Sequence, residues 1–197
     1  MNVMGPIIES INSAGCGQTI RVAMYSIGNT RPGPDFANAL IAAHQRGVIV
    51  KALMDSHSDN AIWQSMVTEL GNDPQASSFA ALCPGGCLTH YSGSALHAKY
   101  YMLSGGSDAS RTVTVSSANP TPPRPGPRGT AASPSRQRRP VQLLRRYFTA
   151  MSREHSTVRP LVPDYHTPPA ARTPGRRCPA PSYQWPARRA AGATPGV

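Results

Sequence analysis

Lysine is nearly missing from this 197-residue chain: Lys51 and Lys99 are the only two, beside eighteen Arg. No stretch approaches the roughly 20 consecutive apolar residues of a membrane-crossing helix, so no transmembrane segment is expected. Met1 to Ile8 has neither a basic start nor a long apolar run, so no targeting segment is expected in this stretch. Cysteine is sparse, at positions 16, 83, 87 and 178. With one close pair and no His-x-His or second pair beside it, zinc-type spacing is excluded, and no metal site is expected. Acidic residues are few as well, nine in all, and they are unevenly placed.

That unevenness divides the chain at Pro120. Residues 1–120 carry four Arg, two Lys and seven acidic residues, a net −1; residues 121–197 carry fourteen Arg, no Lys and two acidic residues, a net +12. The strongly basic character therefore belongs to the second part, which also holds fifteen of the twenty-one Pro. Such a composition buries too little apolar surface to offset its ordering entropy, and a largely disordered tail is expected over 153–197. A basic chain suggests nucleic acid as a partner. Arg mixed with Pro, Ala and Gly, without Lys or interleaved aromatics, makes that reading the weaker one. One ordered segment is expected here: Val141, Leu144, Phe148 and Met151 fall on one helical face.

The first part alternates helix and strand patterns. Ile7, Ile8 and Ile11 predict a helix ending near Gly15, and Thr19 to Ile27 predicts an apolar strand. Pro34 can open a second helix lined by Phe36, Leu40, Ile41 and Ala43, stopped by Gly47. Val48 to Met54 reads as a buried strand, and residues 60–70, with Ile62, Trp63, Met66, Val67 and Leu70, as a third helix closed by Gly71. The expected class is α/β, a mainly parallel sheet flanked by helices.

The chemistry concentrates in Leu96 to Leu103. In an extended segment, period-two alternation puts His97 and Lys99 on one face and Leu96, Ala98, Tyr100 and Met102 on the other. An imidazole beside a fixed cation suits phosphoryl chemistry, which needs an attacking group together with a charge that holds anionic oxygens. Val113 to Val115 reads as a further strand that delivers Ser117 and Asn119 from its end. His90 and Tyr91 lead into the His97 segment and are candidates to line the same place. Asp55 ends a strand, where α/β folds often put functional groups, although a loop cap explains it equally well.

The pattern resembles the phospholipase D superfamily, whose signature is His-x-Lys, four residues, an Asp, and then a small-Ser-x-Asn element. His97 and Lys99 match the first part and Ser117 and Asn119 the second, while Ser104 stands where the family has the Asp. The likeness runs over about residues 4–120, through Ile20 to Ile27, Ala37 to Arg46 and Gly47 to Asp55 in the family's order. It implies a phospholipase D-like domain over 1–152, equivalent to one of the two halves that face each other in the family. The Arg- and Pro-rich composition after the Ser-x-Asn element is what a high-GC region gives out of frame, so truncation or a frameshift near Pro120 is one reading, and a natural linker, a short helix and a tail is the other.

What the resemblance implies for function is phosphodiester hydrolysis through a phosphohistidine, with neither metal nor cofactor. His97, Lys99 and Asn119 would be catalytic, and Ser117 and Ser104 would bind substrate. Phospholipid is the first expectation for that substrate. Alternatives are a homodimeric endonuclease and a noncatalytic remnant. Because only one His-x-Lys is present, a homodimer would be needed to supply a second His97. Cys83 and Cys87 enclose Pro84-Gly85-Gly86, a turn that can bring the sulfurs together; it is similar to a Cys pair of secreted family members, which would imply export, and two free thiols are the alternative reading.

Overall fold

The computed structural model describes residues 3–56, 59–88, 93–105, 112–122, 133–135 and 138–154. The tail expected over 153–197 lies, from residue 155 on, outside the described residues, as do His90 and Tyr91. The elements in chain order are α1 (Met4–Asn12), β1 (Gln18–Met24), α2 (Gly33–Gln45), β2 (Ile49–Asp55), α3 (Ala61–Leu70), β3 (Phe79–Cys83), β4 (Lys99–Gly105), β5 (Thr112–Val115), β6 (Ser133–Ser135) and α4 (Arg138–Glu154).

The six strands form one sheet in the order β3-β2-β1-β4-β5-β6. β1 pairs parallel with β2, and β2 with β3, as expected where a helix carries the chain back between strands. The other half is antiparallel: β4 pairs with β1, β5 with β4 and β6 with β5. The parallel arrangement expected from the alternating pattern thus holds for β1 to β3. Beyond them no α-helix separates one strand from the next among the described residues, and the sheet is mixed.

Strand alternation divides the core into two layers. Ile20, Val22 and Met24 of β1, Val50, Ala52 and Met54 of β2 and Tyr101 of β4 face α1, α2 and α3, where Ile7, Phe36, Leu40, Trp63 and Met66 meet them. Ala23, Leu53, Phe79, Ala81, Tyr100, Met102 and Val113 face the other way, toward Phe148 and Met151 of α4. Phe79 and Phe148 stack with centroids 6.4 Å apart. Each such fully buried side chain contributes about 1.5–3 kcal/mol of transfer free energy.

Capping decides where α3 begins. Asn60 accepts hydrogen bonds from the N–H groups of Ile62 and Trp63, both at 3.1 Å, and its Nδ2 donates to the Ile27 carbonyl at 2.8 Å. One side chain therefore starts a helix and ties it to the exit of β1. That strand also stops earlier than its apolar run suggests, at Met24, so that residues 25–27 turn away from the sheet.

Candidate active site

The pairing directions bring several chain segments to one end of the sheet. β1, β2 and β3 finish there, β4 begins there with Lys99 opposite Met24, and β5 ends there with Val115 opposite Tyr100. Asp55 and Cys83 close β2 and β3 there, and the segments that follow or precede the strands carry Tyr25, His97 and Ser116 to Asn119 to the same end. Such an end, at the carboxyl termini of parallel strands, is where α/β sheets leave room for ligands.

His97 lies outside β4, two residues before its first member, and its side chain is exposed. The strand expected from Leu96 thus starts three residues later, at Lys99. The imidazole rests against Tyr25, ring centroids 5.0 Å apart and planes inclined by 54°. Lys99 sits just inside the strand and is 7% exposed. Its Nζ donates to the His97 carbonyl at 3.1 Å and lies 5.4 Å from the centre of the Tyr25 ring. Tyr25 therefore touches both signature residues: the imidazole leans on it and the ammonium uses its π face. Burial pushes the Lys99 ammonium below its ordinary pKa of 10.5.

Ser116 links the second motif to the first. Its N–H donates to the Lys99 carbonyl at 2.9 Å, continuing the β4–β5 ladder by one bond, and its Oγ accepts the Ala118 N–H at 2.9 Å. Gly28 then closes the loop from the β1 side, donating its N–H to the Pro120 carbonyl at 3.0 Å. A Cβ on Gly28 would come within 3.3 Å of the Thr121 backbone and 3.2 Å of the Pro122 ring, so the loop passes where only hydrogen fits comfortably. Ser117 is exposed and Asn119 half-buried. Asn119 Oδ1 is enclosed, with no hydrogen-bond partner among the described residues.

Ser104 is not brought to this end. It stands opposite Thr19 near the far end of β4, five residues from Lys99 and hence about 16 Å along the strand at ~3.3 Å per residue. The residue expected to bind substrate thus stands on the strand apart from His97.

On the α4 side of the same end, Cys83 and Cys87 are joined in a disulfide around the short 3-10 turn Pro84–Gly86. A Cβ on Gly86, whose φ is +77°, would approach the Ala95 backbone to 3.1 Å, so this turn packs directly on the segment leading to His97. Asp55 reaches that segment too: its Oδ2 accepts the Leu96 N–H at 2.6 Å from a fully buried position. Tyr25 received no functional reading from the sequence and Asp55 an ambivalent one. The available signal was their position at the ends of buried strands.

Residues 7–125 match the family described as "Cardiolipin synthase, PLD-like domain". Among solved structures, the chain is similar to NucT from Helicobacter pylori, with a TM-score of 0.55 and 20% identity over 77% of this chain and 87% of that one. It is similar also to Nuc from Salmonella typhimurium, a phospholipase D family member, with a TM-score of 0.53 and 21% identity over 78% and 88% of the two chains. No curated protein matches the sequence.

Proposed function

The chain belongs to the phospholipase D superfamily, and from that premise we propose that it hydrolyses phosphodiester bonds through a phosphohistidine formed on His97. The observation that carries this reading is the pairing of an exposed imidazole with a nearly buried ammonium, both against Tyr25, at the end of the sheet. In the first step an imidazole nitrogen forms a bond to phosphorus as the bond to the leaving alkoxide breaks. The alkoxide takes a proton from a second imidazole, which fits His97 of a second copy. In the second step that imidazole removes a proton from water, whose oxygen displaces His97 from phosphorus. Lys99, Ser117 and Asn119 hold the nonbridging oxygens, whose charge grows toward the transition state.

The description of the matching family, which names cardiolipin synthase, supports a phospholipid as substrate. Nucleic acid is the second reading, supported by the exposed Arg145, Arg146 and Arg153 of α4 and by the +12 charge after Pro120. A chromogenic phosphodiester tests the chemistry, and phosphatidylcholine vesicles against single-stranded DNA test the substrate. His97→Ala should abolish turnover by several orders of magnitude, because it removes the covalent nucleophile, whereas EDTA should leave the rate unchanged. Inhibition by EDTA that a divalent ion reverses would sink the phosphohistidine route. No turnover of any of the three substrates would favour the noncatalytic reading.

A further inference from the structure

We propose that Asp55 is a positioning residue for His97: by holding the Leu96 N–H, its buried carboxyl group fixes where the imidazole enters the site. The inference rests on the reading of His97 as the nucleophile. Asp55 is the last residue of β2 and is 0% exposed, and its Oδ2 lies 2.6 Å from the Leu96 nitrogen. A carboxyl group is costly to bury unless hydrogen bonds compensate it. Bonds from N–H groups to carboxylate oxygens are short and strong, and this one spans 41 positions of sequence.

The bond acts on a segment that is otherwise short of regular structure. Residues 94–98 belong to neither helix nor strand. Leu96 is nevertheless pinned twice, by the Asp55 carboxyl at its N–H and by its side chain, which is 3% exposed and packs in the layer that contains Cys83 and Cys87. On one side Ala95 rests on Gly86; on the other the His97 carbonyl accepts from Lys99 Nζ. His97 is thus the first side chain released to solvent after a residue held by both main chain and side chain. With its backbone fixed on both sides, the imidazole lies against Tyr25. A nucleophile must stand in near-attack geometry, and a displacement of about 1 Å can lower the rate about 100-fold.

A loop cap of purely structural value would also bury Asp55, so the test must separate positioning from stability. Two variants are compared with the wild type: Asp55→Asn, which keeps an oxygen acceptor, and Asp55→Leu, which keeps the volume and loses it. In each, hydrogen exchange at the Leu96 amide, the ring-to-ring nuclear Overhauser effect between Tyr25 and His97, and kcat and KM on a chromogenic phosphodiester are measured. For Asp55→Leu we expect Leu96 exchange at least tenfold faster, loss of the ring contact, and kcat reduced about 100-fold with KM within about twofold. Asp55→Asn should restore both the ring contact and most of kcat. Should Asp55→Leu fail to fold, Asp55→Ser, whose hydroxyl is too short to reach Leu96, carries the same comparison. Retained Leu96 protection and an intact ring contact without the carboxyl group would overturn the proposal. So would a loss of kcat that Asp55→Asn does not relieve. If the wild type itself turns over no phosphodiester, the functional reading fails, while exchange and ring contact still decide the role of Asp55.

Discussion

Lys99 joins two properties that oppose each other, a cationic head and a residue that is only 7% exposed. Its ammonium is compensated by the His97 carbonyl and the Tyr25 ring, with no carboxylate paired to it among the described residues. Burial favours the neutral amine and lowers the pKa from 10.5. Because the charged form binds phosphate oxygens, kcat/KM should fall on the alkaline side at a pH below 10.5, earlier than an exposed lysine would lose its proton. A pH–rate profile checks this, and a rate that holds steady past pH 10.5 would exclude Lys99 as the oxygen-holding cation. Lys99→Arg should recover little, since the planar guanidinium cannot occupy the same short path over Tyr25. At this scale the signature pair could be read from a two-residue spacing. Tyr25 and Asp55 could not, because their contacts with residues 96–99 span about 40 to 70 positions and leave no local pattern.

At the scale of elements, the link between helix start and strand exit rests on Asn60. Asn60→Ala removes two acceptor contacts at the start of α3 and the tie to Ile27, and should destabilise the fold by about 1–2 kcal/mol in chemical denaturation. Asn60→Asp keeps the cap and loses only the Nδ2 donor, so it should cost less; equal losses in the two variants would show that the bond to Ile27, not the cap, dominates. Helices α1, α2 and α3 follow from apolar residues at helical spacing, and the buried face of α4 from Leu144, Phe148 and Met151. β3 escaped notice because Phe79 to Cys83 is five residues long and four of them are buried, so it has no polar alternation, and its two alanines favour helix over strand. His97 fell outside its expected strand for a related reason. Alternation identifies which residues share a face, but the bond from Asp55, which comes from another strand, is made where the extended ladder has not yet begun.

For the molecule as a whole, the decisive number is one: the chain supplies a single His-x-Lys, whereas the proposed chemistry needs two imidazoles on opposite sides of phosphorus. Activity should therefore rise with protein concentration until a two-fold dimer saturates. Mixing in His97→Ala chains should lower the activity of wild-type subunits below simple dilution. A monomer of constant specific activity, demonstrated by sedimentation, would mean that another group serves as the acid. The α/β class followed from alternating elements, but the antiparallel half did not, since strand direction depends on connections whose path carries no local signal. That reversal at β1 has a practical consequence for anyone who handles the protein. The segments after β1, β2, β3 and β5 and before β4 converge at one pole, while the turns at residues 13–17, 46–48 and 71–78 occupy the other. The second pole is where an affinity handle, a fluorophore or an inserted domain can be attached with least disturbance to His97, and the first is where crosslinkers or antibodies should be aimed to block it.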